Sequence, residues 1–515
     1  MDNVVTSPQT VSPEPSLGHD INTIVAQHER YFGKVSTTTG WRSVLQDRNL
    51  FSAETNITGS HLKTRIESAY GPTIANKVDR QLGLSSSNKK LISSYIVTKA
   101  VALVEAESDW TKIHQSNFSY CQVDASGNAT TSPPTTCHVT LTPLGRLKSL
   151  KENKSLFGVS STDINNRNVV NGWCEEMRID ESTTSTTSLV RSGVLMPPKA
   201  KTKDGLQETA KAKTERSDIA MNRYQQILSA LVETTSSLIP ADFDPTANSK
   251  ETPLEIEHAH IGLLSTNDPK KPEEAVMATD QMNFIKDQVH EKPIQISYIK
   301  KDGTLGTLWV KPIVRYTNFS VQKAQQEETS ASAIDTPYTA TEATLDHYLG
   351  KGNENGVLAK KITNLTEQEE ATKLLNELKE LRKTRSQEGS SFYSYEFQTK
   401  YSLLLAKCGI PTHVYCKSGK DRTSRFSEMI KMWAANPLLK LTNITTAVRK
   451  IIEAFSFSGN ATIQRLNTGF AGNKQFKTYW RLVAGEKEDL TFGGWTHLAS
   501  AGSYSGWGAS TLVKT

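Results

Sequence analysis

The residues best suited to chemistry lie in one short stretch, Cys416-Lys417-Ser418-Gly419-Lys420-Asp421-Arg422-Thr423. Five residues separate the Cys416 thiol from the Arg422 guanidinium, a spacing that on its own is weak evidence because it often arises by chance. The apolar run from Ile410 to Tyr415 predicts a buried strand that ends at the cysteine, and the apolar spacing over Ser424 to Ala435 predicts a helix directly after the loop. The context therefore indicates a strand–loop–helix cradle for an anion.

Such a cradle suits attack on phosphorus by a cysteine thiolate. Backbone N–H groups of residues 417–422 and the positive end of the following helix would converge on a phosphate and favour the thiolate form of Cys416. Arg422 would close the ring with two parallel hydrogen bonds to phosphoryl oxygens, and the Thr423 hydroxyl would steady the thiolate. The predicted mechanism is in-line attack, a phosphocysteine intermediate and hydrolysis by water, with no metal and no cofactor. The alternative is that Cys416 is an ordinary buried thiol at the end of a strand.

The middle of the loop bears on the substrate. Lys417 and Lys420 add two positive charges at the rim of the pocket, which favours a substrate with several phosphates, such as a phosphoinositide head group, over phosphotyrosine. The alternative for each lysine is a solvated surface position. Ser418 and Gly419 complete the predicted substrate-binding loop, in which Gly419 lets the backbone turn tightly.

An inositol oxygen is a poor leaving group, so the reaction calls for a general acid. Asp421 is the first candidate because it lies inside the loop next to Arg422. The alternative is that Asp421 is a charge at a helix N-terminus, stabilised by the helix dipole. Asp335 and Asp346, in the polar stretch upstream, are reserve candidates.

Composition excludes several classes of protein. The chain has 515 residues, 36% of them hydrophobic, and a mean hydropathy of −0.47, which excludes a polytopic membrane protein. Sixty Lys and Arg against 54 Asp and Glu give a net charge of +6, too small an excess to indicate a nucleic-acid partner. The five cysteines, an odd and sparse number, form no disulfide framework.

The elements that would position the loop predict a mixed α/β (α+β) fold. An apolar face predicts a helix over residues 207–238, and the second half of the chain alternates predicted strands (258–264, 293–299 and 305–314) with predicted helices (365–383 and 392–407). Helical spacing also recurs over residues 61–82 and 87–107. The expected fold is a cysteine-phosphatase-like catalytic domain preceded by a largely helical domain.

Four segments are expected along the chain. Residues 1–40 are expected to be a disordered secretion or translocation segment. Met1 to Leu17 is rich in Ser, Thr, Pro and Asn and lacks both Lys/Arg and the apolar core of a signal peptide, which excludes a signal peptide, but this composition alone does not show a secretion signal. A frayed terminus is the alternative. Residues 41–180 are expected to form the mostly helical domain, residues 181–205 a Ser/Thr-rich linker, and residues 206–515 the phosphatase domain.

The loop resembles the signature of inositol polyphosphate 4-phosphatases and of the bacterial SopB/SigD/IpgD family of inositol phosphate phosphatase effectors. Asn318-Phe319-Ser320-Val321-Gln322 is similar to the Asn-Phe-Gly-Val-Asn motif of the bacterial family, departing at Ser320 and Gln322. The segment from Gly459 to Lys474 is similar to a further motif of that family. Within this segment the amides of Asn460, Gln464 and Asn467 would line the pocket or place the hydrolytic water; hydrogen bonds that cap loops are the alternative.

The resemblance implies an effector that leaves the bacterium without a signal peptide, by type III secretion, and dephosphorylates phosphoinositide lipids at host membranes. The 4-phosphate of phosphatidylinositol 4,5-bisphosphate is the expected target. The resemblance also implies a secretion chaperone and a host Rho-family GTPase as partners, the latter bound by the N-terminal domain. Three alternatives stay open: a phosphoinositide 3-phosphatase, a protein tyrosine or dual-specificity phosphatase, and a GTPase-binding effector whose phosphatase half is incidental.

Overall fold

The computed structural model describes residues 58–70, 72–87, 113–130, 133–150, 167–180, 187–199, 208–266, 272–319, 336–352, 354–363, 368–387, 395–417, 419 and 421–439, with single positions between 445 and 455. The chain divides into two compact units, Met1–Val139 with Leu439–Thr515, and Thr140–Leu438. The predicted N-terminal segment 1–40, almost all of the predicted helix 87–107 and the motif segment 459–474 lie outside the described residues.

The described part of the first unit includes helices α1 (Gly59–Tyr70) and α2 (Pro72–Leu82) and strand β1 (His114–Tyr120). Helical spacing over residues 61–82 is thus divided between two helices. Pro72 is the first residue of α2, a position where proline is favoured because its missing N–H has no intrahelical partner there. Leu62, Ala75 and Val78 are buried.

A mixed sheet positions the predicted loop. The next strand along the chain is β2 (Thr135–Pro143). The sheet of the second unit contains β3 (Trp173–Ile179), β4 (Thr187–Ser192), β5 (Leu254–Gly262), β6 (Ile294–Ile299), β7 (Leu305–Asn318) and β8 (Thr412–Tyr415). Within this unit the strand order is β3-β4-β8-β5-β7-β6. Strands β4, β8, β5 and β7 run parallel to one another, while β3 is antiparallel to β4 and β6 to β7. Every residue of the central strand β8 is buried, as expected of a strand covered on both faces.

The helices of the second unit are α3 (Ala210–Thr234), α4 (Pro272–Phe284), α5 (Pro337–Leu349), α6 (Val357–Ile362), α7 (Gln368–Gln387), α8 (Tyr395–Lys407) and α9 (Asp421–Ala435). The apolar face predicted for α3 is buried in the core, with Tyr224, Ile227 and Leu228 fully inaccessible. Thr209 caps this helix by accepting a hydrogen bond from the Ala212 N–H at 3.2 Å. In the part of the chain that the structure describes, no helix combines the length and apolar character needed to cross a bilayer.

The mixed α/β fold class is confirmed, whereas the structure differs from two of the expected segments, the linker 181–205 and the helical domain 41–180. Residues 187–192, placed in the predicted linker 181–205, form strand β4, which pairs with β3 on one side and β8 on the other. The segment is a strand because it pairs on both sides and buries Leu189 and Val190. These contacts override its Ser/Thr-rich composition, which is typical of a loop. Residues 140–180, expected in the mostly helical domain, belong to the same unit as the loop and contain β3.

Candidate active site

The candidate loop lies at the carboxyl ends of three adjacent parallel strands. Tyr415, the last residue of β8, is in register with Ser192 at the end of β4 and with Gly262 at the end of β5. Residues that follow these strands therefore meet at one edge of the sheet, where ligands bind in open α/β sheets. Cys416 is the first residue beyond β8, and α9 begins at Asp421.

The structure brings the Cys416 thiol next to the start of α9. Cys416 is buried, and its Sγ lies 3.9 Å from the hydroxyl oxygen of Thr423. The Gly419 N–H donates to the Cys416 carbonyl at 3.4 Å, so the backbone turns back on itself immediately after the thiol. The N-terminus of a helix is a position that favours an anionic ligand, so an anion bound there would lie next to the Cys416 thiol.

The turn depends on Gly419. Its φ of +68° lies in the left-handed region. A Cβ at this position would lie 2.6 Å from the Gly193 nitrogen and from the Ser192 carbonyl carbon. Backbone atoms at the end of β4 therefore leave no room for a side chain, and the loop packs directly on that strand end.

Arg422 is fixed by a carboxylate on α4. Its Nη1 and Nη2 donate to the two oxygens of Glu274 at 2.6 and 2.8 Å, and Nη1 also donates to the Leu263 carbonyl at 2.6 Å. Glu274 accepts a further hydrogen bond from the Ser265 N–H at 3.0 Å. Both side chains are buried, so the bidentate pair holds the guanidinium rigidly beside the loop.

Lys417 lies at the rim of the loop. Its Nζ is 3.5 Å from Glu273, the residue before Glu274 in the first turn of α4, and its side chain is 43% exposed. An ion pair this exposed contributes little to stability. The lysine can therefore exchange Glu273 for a phosphate at low energetic cost.

The remaining predicted site residues divide into two groups. Asp421 is the first residue of α9, the position that the helix-charge alternative requires. Asp346 accepts from Arg382 at 2.6 Å, so this reserve acid is engaged in an ion pair with α7. The others lie outside the described residues: Ser418, Lys420, Asn460, Gln464, Asn467 and Asp335.

Sequence reasoning missed a buried ion cluster behind the loop. Arg191 on β4 donates to Glu175 on β3 at 2.6 Å, and Lys431 on α9 donates to the same carboxylate at 3.2 Å. Burial by itself would raise the pKa of Glu175, but Lys431 and Arg191 outweigh it and lower the pKa to about 2. An arginine that directly follows two apolar residues, as in Leu189-Val190-Arg191, is the sequence signal that could have identified this cluster.

The motif Asn318-Phe319 also supports the site. The Asn318 side chain accepts from the Leu264 N–H at 3.1 Å and donates to the Leu264 carbonyl at 3.0 Å. These bonds fix the segment after β5, whose Leu263 carbonyl contacts Arg422. Phe319 is fully buried and packs edge-on against Phe397 and Tyr401.

Three buried imidazoles lie in the strands that end at the loop. His413 on β8 contacts His260 on β5 at 2.9 Å between their Nδ1 atoms, and its Nε2 lies 2.8 Å from the Ser192 hydroxyl. His258 Nε2 lies 2.8 Å from the Tyr224 hydroxyl. Burial lowers the pKa of His258 to about 4 and that of His413 to about 3, and it also lowers the pKa of His260. All three rings are therefore neutral at neutral pH.

Among the described residues, no three His, Cys, Asp or Glu side chains are grouped so that they could hold a metal ion. The chemistry that the residues at the loop support is that of the thiol, the helix N-terminus and the guanidinium.

Comparison with known proteins relates the whole arrangement to one family. Residues 45–483 match the family model described as enterobacterial virulence protein IpgD. The inositol phosphate phosphatase SopB of Salmonella bongori is 24% identical over 335 residues, which cover 62% of this chain and 76% of that protein. The inositol phosphate phosphatase IpgD of Shigella flexneri is 25% identical over 358 residues, and that of Shigella sonnei is 25% identical over 322 residues.

The matched region spans 63% of the Shigella flexneri protein and 57% of the Shigella sonnei protein, less than two thirds of each. It covers 65% and 60% of this chain, respectively. Among solved structures, the Legionella phosphoinositide phosphatase SidF aligns with a TM-score of 0.48 and 10% identity, over 93% of this chain and 89% of that one.

Proposed function

Because the chain belongs to the enterobacterial virulence protein IpgD family, we propose that it is a cysteine-dependent phosphatase of inositol phosphates and phosphoinositides. The observation that carries the proposal is the position of Cys416, a buried thiol directly after the central strand β8 and beside the N-terminus of α9. The relatives of this chain are named as inositol phosphate phosphatases, which supports the substrate class.

In the proposed reaction the Cys416 thiolate attacks the phosphorus in line with the inositol oxygen. A sulfur–phosphorus bond forms as the phosphorus–oxygen bond to inositol breaks, and a general acid, for which Asp421 is the candidate, protonates the leaving oxygen. Water then attacks the phosphocysteine, which releases inorganic phosphate and regenerates the thiol. Arg422, already held by Glu274, stabilises the charge on the transferring phosphoryl group.

The proposed substrate carries more than one phosphate. Lys417 is partly exposed at the rim, where its ion pair with Glu273 is weak, so a second phosphate of an inositol ring can bind there. Within this class, the 4-phosphate of phosphatidylinositol 4,5-bisphosphate is our first choice of scissile group, and a 3-phosphate is the second. Export into host cells, action at host membranes and binding of a Rho-family GTPase or a secretion chaperone stay predictions.

The decisive experiment is a screen of the purified full chain against all phosphoinositides, soluble inositol phosphates and phosphopeptides, with each product identified. We expect phosphate release from polyphosphorylated inositol substrates. Faster turnover of phosphopeptides would favour the dual-specificity alternative.

Variants test the proposed nucleophile. Cys416→Ser should abolish phosphate release, whereas the matched control Cys408→Ser, which alters a half-buried thiol outside the loop, should retain it. Arg422→Lys keeps the charge but loses the planar fork, so we expect kcat to fall about 100-fold. Wild-type activity in Cys416→Ser would refute the mechanism.

A further inference from the structure

Arg191 connects strand β4 of the central sheet to the candidate loop. Its side chain is completely buried on β4, and its Nη2 lies within hydrogen-bond distance of three acceptors. These are the Gly419 carbonyl at 2.9 Å, the Thr423 hydroxyl at 3.2 Å and the Ser424 hydroxyl at 2.8 Å. One nitrogen thus contacts both the turn of the loop and the first turn of α9.

The bond to Thr423 has a direction. A guanidinium can only donate hydrogen bonds, so the Thr423 oxygen accepts from Arg191 and its own hydrogen must point elsewhere. The Cys416 sulfur lies 3.9 Å from the same oxygen. The arrangement therefore favours a Thr423 hydroxyl that donates toward the thiolate.

The bond to Gly419 has a second effect. Because a peptide group is planar, fixing the Gly419 carbonyl also fixes the orientation of that whole peptide group. The turn at Gly419 is then held in one orientation before substrate arrives. Glu175 in turn holds Arg191 at 2.6 Å, so the donor itself is fixed from behind.

We propose that Arg191 is a positioning residue for the phosphatase reaction: it directs the Thr423 hydroxyl to the Cys416 thiolate and fixes the Gly419 peptide. The proposal rests on the function proposed above. Arg191 acts through these loop residues and not by contact with substrate.

A matched pair of variants separates positioning from stability. Arg191→Met and Lys431→Met each remove one buried cation from Glu175, but only Arg191 is hydrogen-bonded to described residues of the loop. We expect kcat for a small aryl phosphate to fall about 100-fold in Arg191→Met, with a much smaller change in KM, because small misplacements of reacting groups cost about that much. Lys431→Met should keep kcat within about threefold of the wild type. Its loss of thermal stability should be comparable to that of Arg191→Met.

Alkylation of Cys416 by iodoacetamide, followed by mass spectrometry, gives a readout that does not require turnover. We expect Arg191→Met to slow this alkylation and Lys431→Met to leave it close to the wild-type rate, because Arg191 contacts the Gly419 carbonyl and the Thr423 hydroxyl whereas Lys431 contacts Glu175. If the wild-type chain released no phosphate from any substrate, the proposed function would fail, and the alkylation rates would still decide the role of Arg191.

A double-mutant cycle tests the route through Thr423. In Arg191→Met with Thr423→Val, the combined loss in kcat should be smaller than the product of the single losses, because both changes disrupt one connection. Fully multiplicative losses, or equal losses of kcat in Arg191→Met and Lys431→Met, would overturn the proposal. If Arg191→Met did not fold, Arg191→Lys, which keeps the partner of Glu175 but lacks the fork, should fold and show the same selective loss of kcat.

Discussion

Acid should destabilise the fold through the buried imidazoles of His258, His260 and His413. Each ring is fully buried in the strands that end at the candidate site. His258 faces the Tyr224 hydroxyl, and His413 lies between His260 and the Ser192 hydroxyl. No carboxylate is hydrogen-bonded to these rings among the described residues, although the nearby charge of Glu257 partly offsets the effect of burial on the pKa of His258. The folded cluster therefore resists protonation.

The sign and size of the effect follow from the pKa values. Burial lowers the pKa of His258 from 6.5 to about 4 and that of His413 from 6.5 to about 3. Below about pH 6.5 the imidazoles bind protons in the unfolded chain but stay neutral in the folded chain. The free energy of unfolding therefore decreases as the pH falls. Between about pH 7 and about pH 5 each of these two residues should lower the free energy of unfolding by about 2 kcal/mol, about 4 kcal/mol together. His260 adds to the loss in the same direction.

Urea unfolding at about pH 7 and about pH 5 measures this difference. His258→Gln should reduce the difference by about 2 kcal/mol, whatever its effect on stability at neutral pH, because one titrating group is removed. His347→Gln on α5 is the control: burial also lowers the pKa of this partly buried histidine, but less strongly, so the pH difference should fall by much less than in His258→Gln. Glu175, whose pKa falls from 4.5 to about 2, is ionised in both states over most of this interval and contributes little. A wild-type free energy that did not change between the two pH values would refute the reasoning.

Three further predictions concern the loop and its supports. Gly419→Ala should abolish phosphate release, because the added Cβ would lie 2.6 Å from backbone atoms at the end of β4. Gly303→Ala, also at positive φ but with open space around it, should stay active. Equal activity in the two variants would contradict the packing argument. Glu274→Gln should lower the free energy of unfolding in urea by about 3–5 kcal/mol, since it leaves the buried guanidinium of Arg422 without its counter-charge, and an unchanged value would contradict this. Lys417→Ala should reduce kcat/KM for polyphosphorylated inositol substrates about tenfold more than for an aryl phosphate, and equal losses would count against a second phosphate at the rim.

The local part of the site could be predicted from sequence. An apolar run into Cys416, a turn at Gly419 and helical spacing afterwards are contiguous, and contiguous patterns determine strand, turn and helix. The structure has β8 at Thr412–Tyr415 and α9 from Asp421 onward, three residues earlier than the apolar spacing indicated. The buried face of α3 was predictable for the same reason, since its apolar residues repeat with the helical period.

The supports of the loop could not be predicted, because they come from distant parts of the chain. Glu274 is an acidic residue in the first turn of a helix, where carboxylates are common for local reasons, and nothing adjacent marks it as the partner of Arg422. Arg191 lies beside a Ser/Thr tract whose composition indicates a loop. Only pairing of β4 with β3 and β8 makes this segment a buried strand, and such pairing overrides local preference.

The distances along the chain between the loop and its supports bear on how the protein folds. Arg191 and Gly419 are 228 positions apart, and Glu274 and Arg422 are 148 apart. Contacts between such distant positions carry a large loop-closure entropy and form slowly, in contrast to helices, which form from near neighbours. In refolding from urea, the helical signal should therefore recover before Cys416 becomes reactive and phosphate release returns. The active loop is assembled only when three distant parts of the chain have met at the same edge of the sheet.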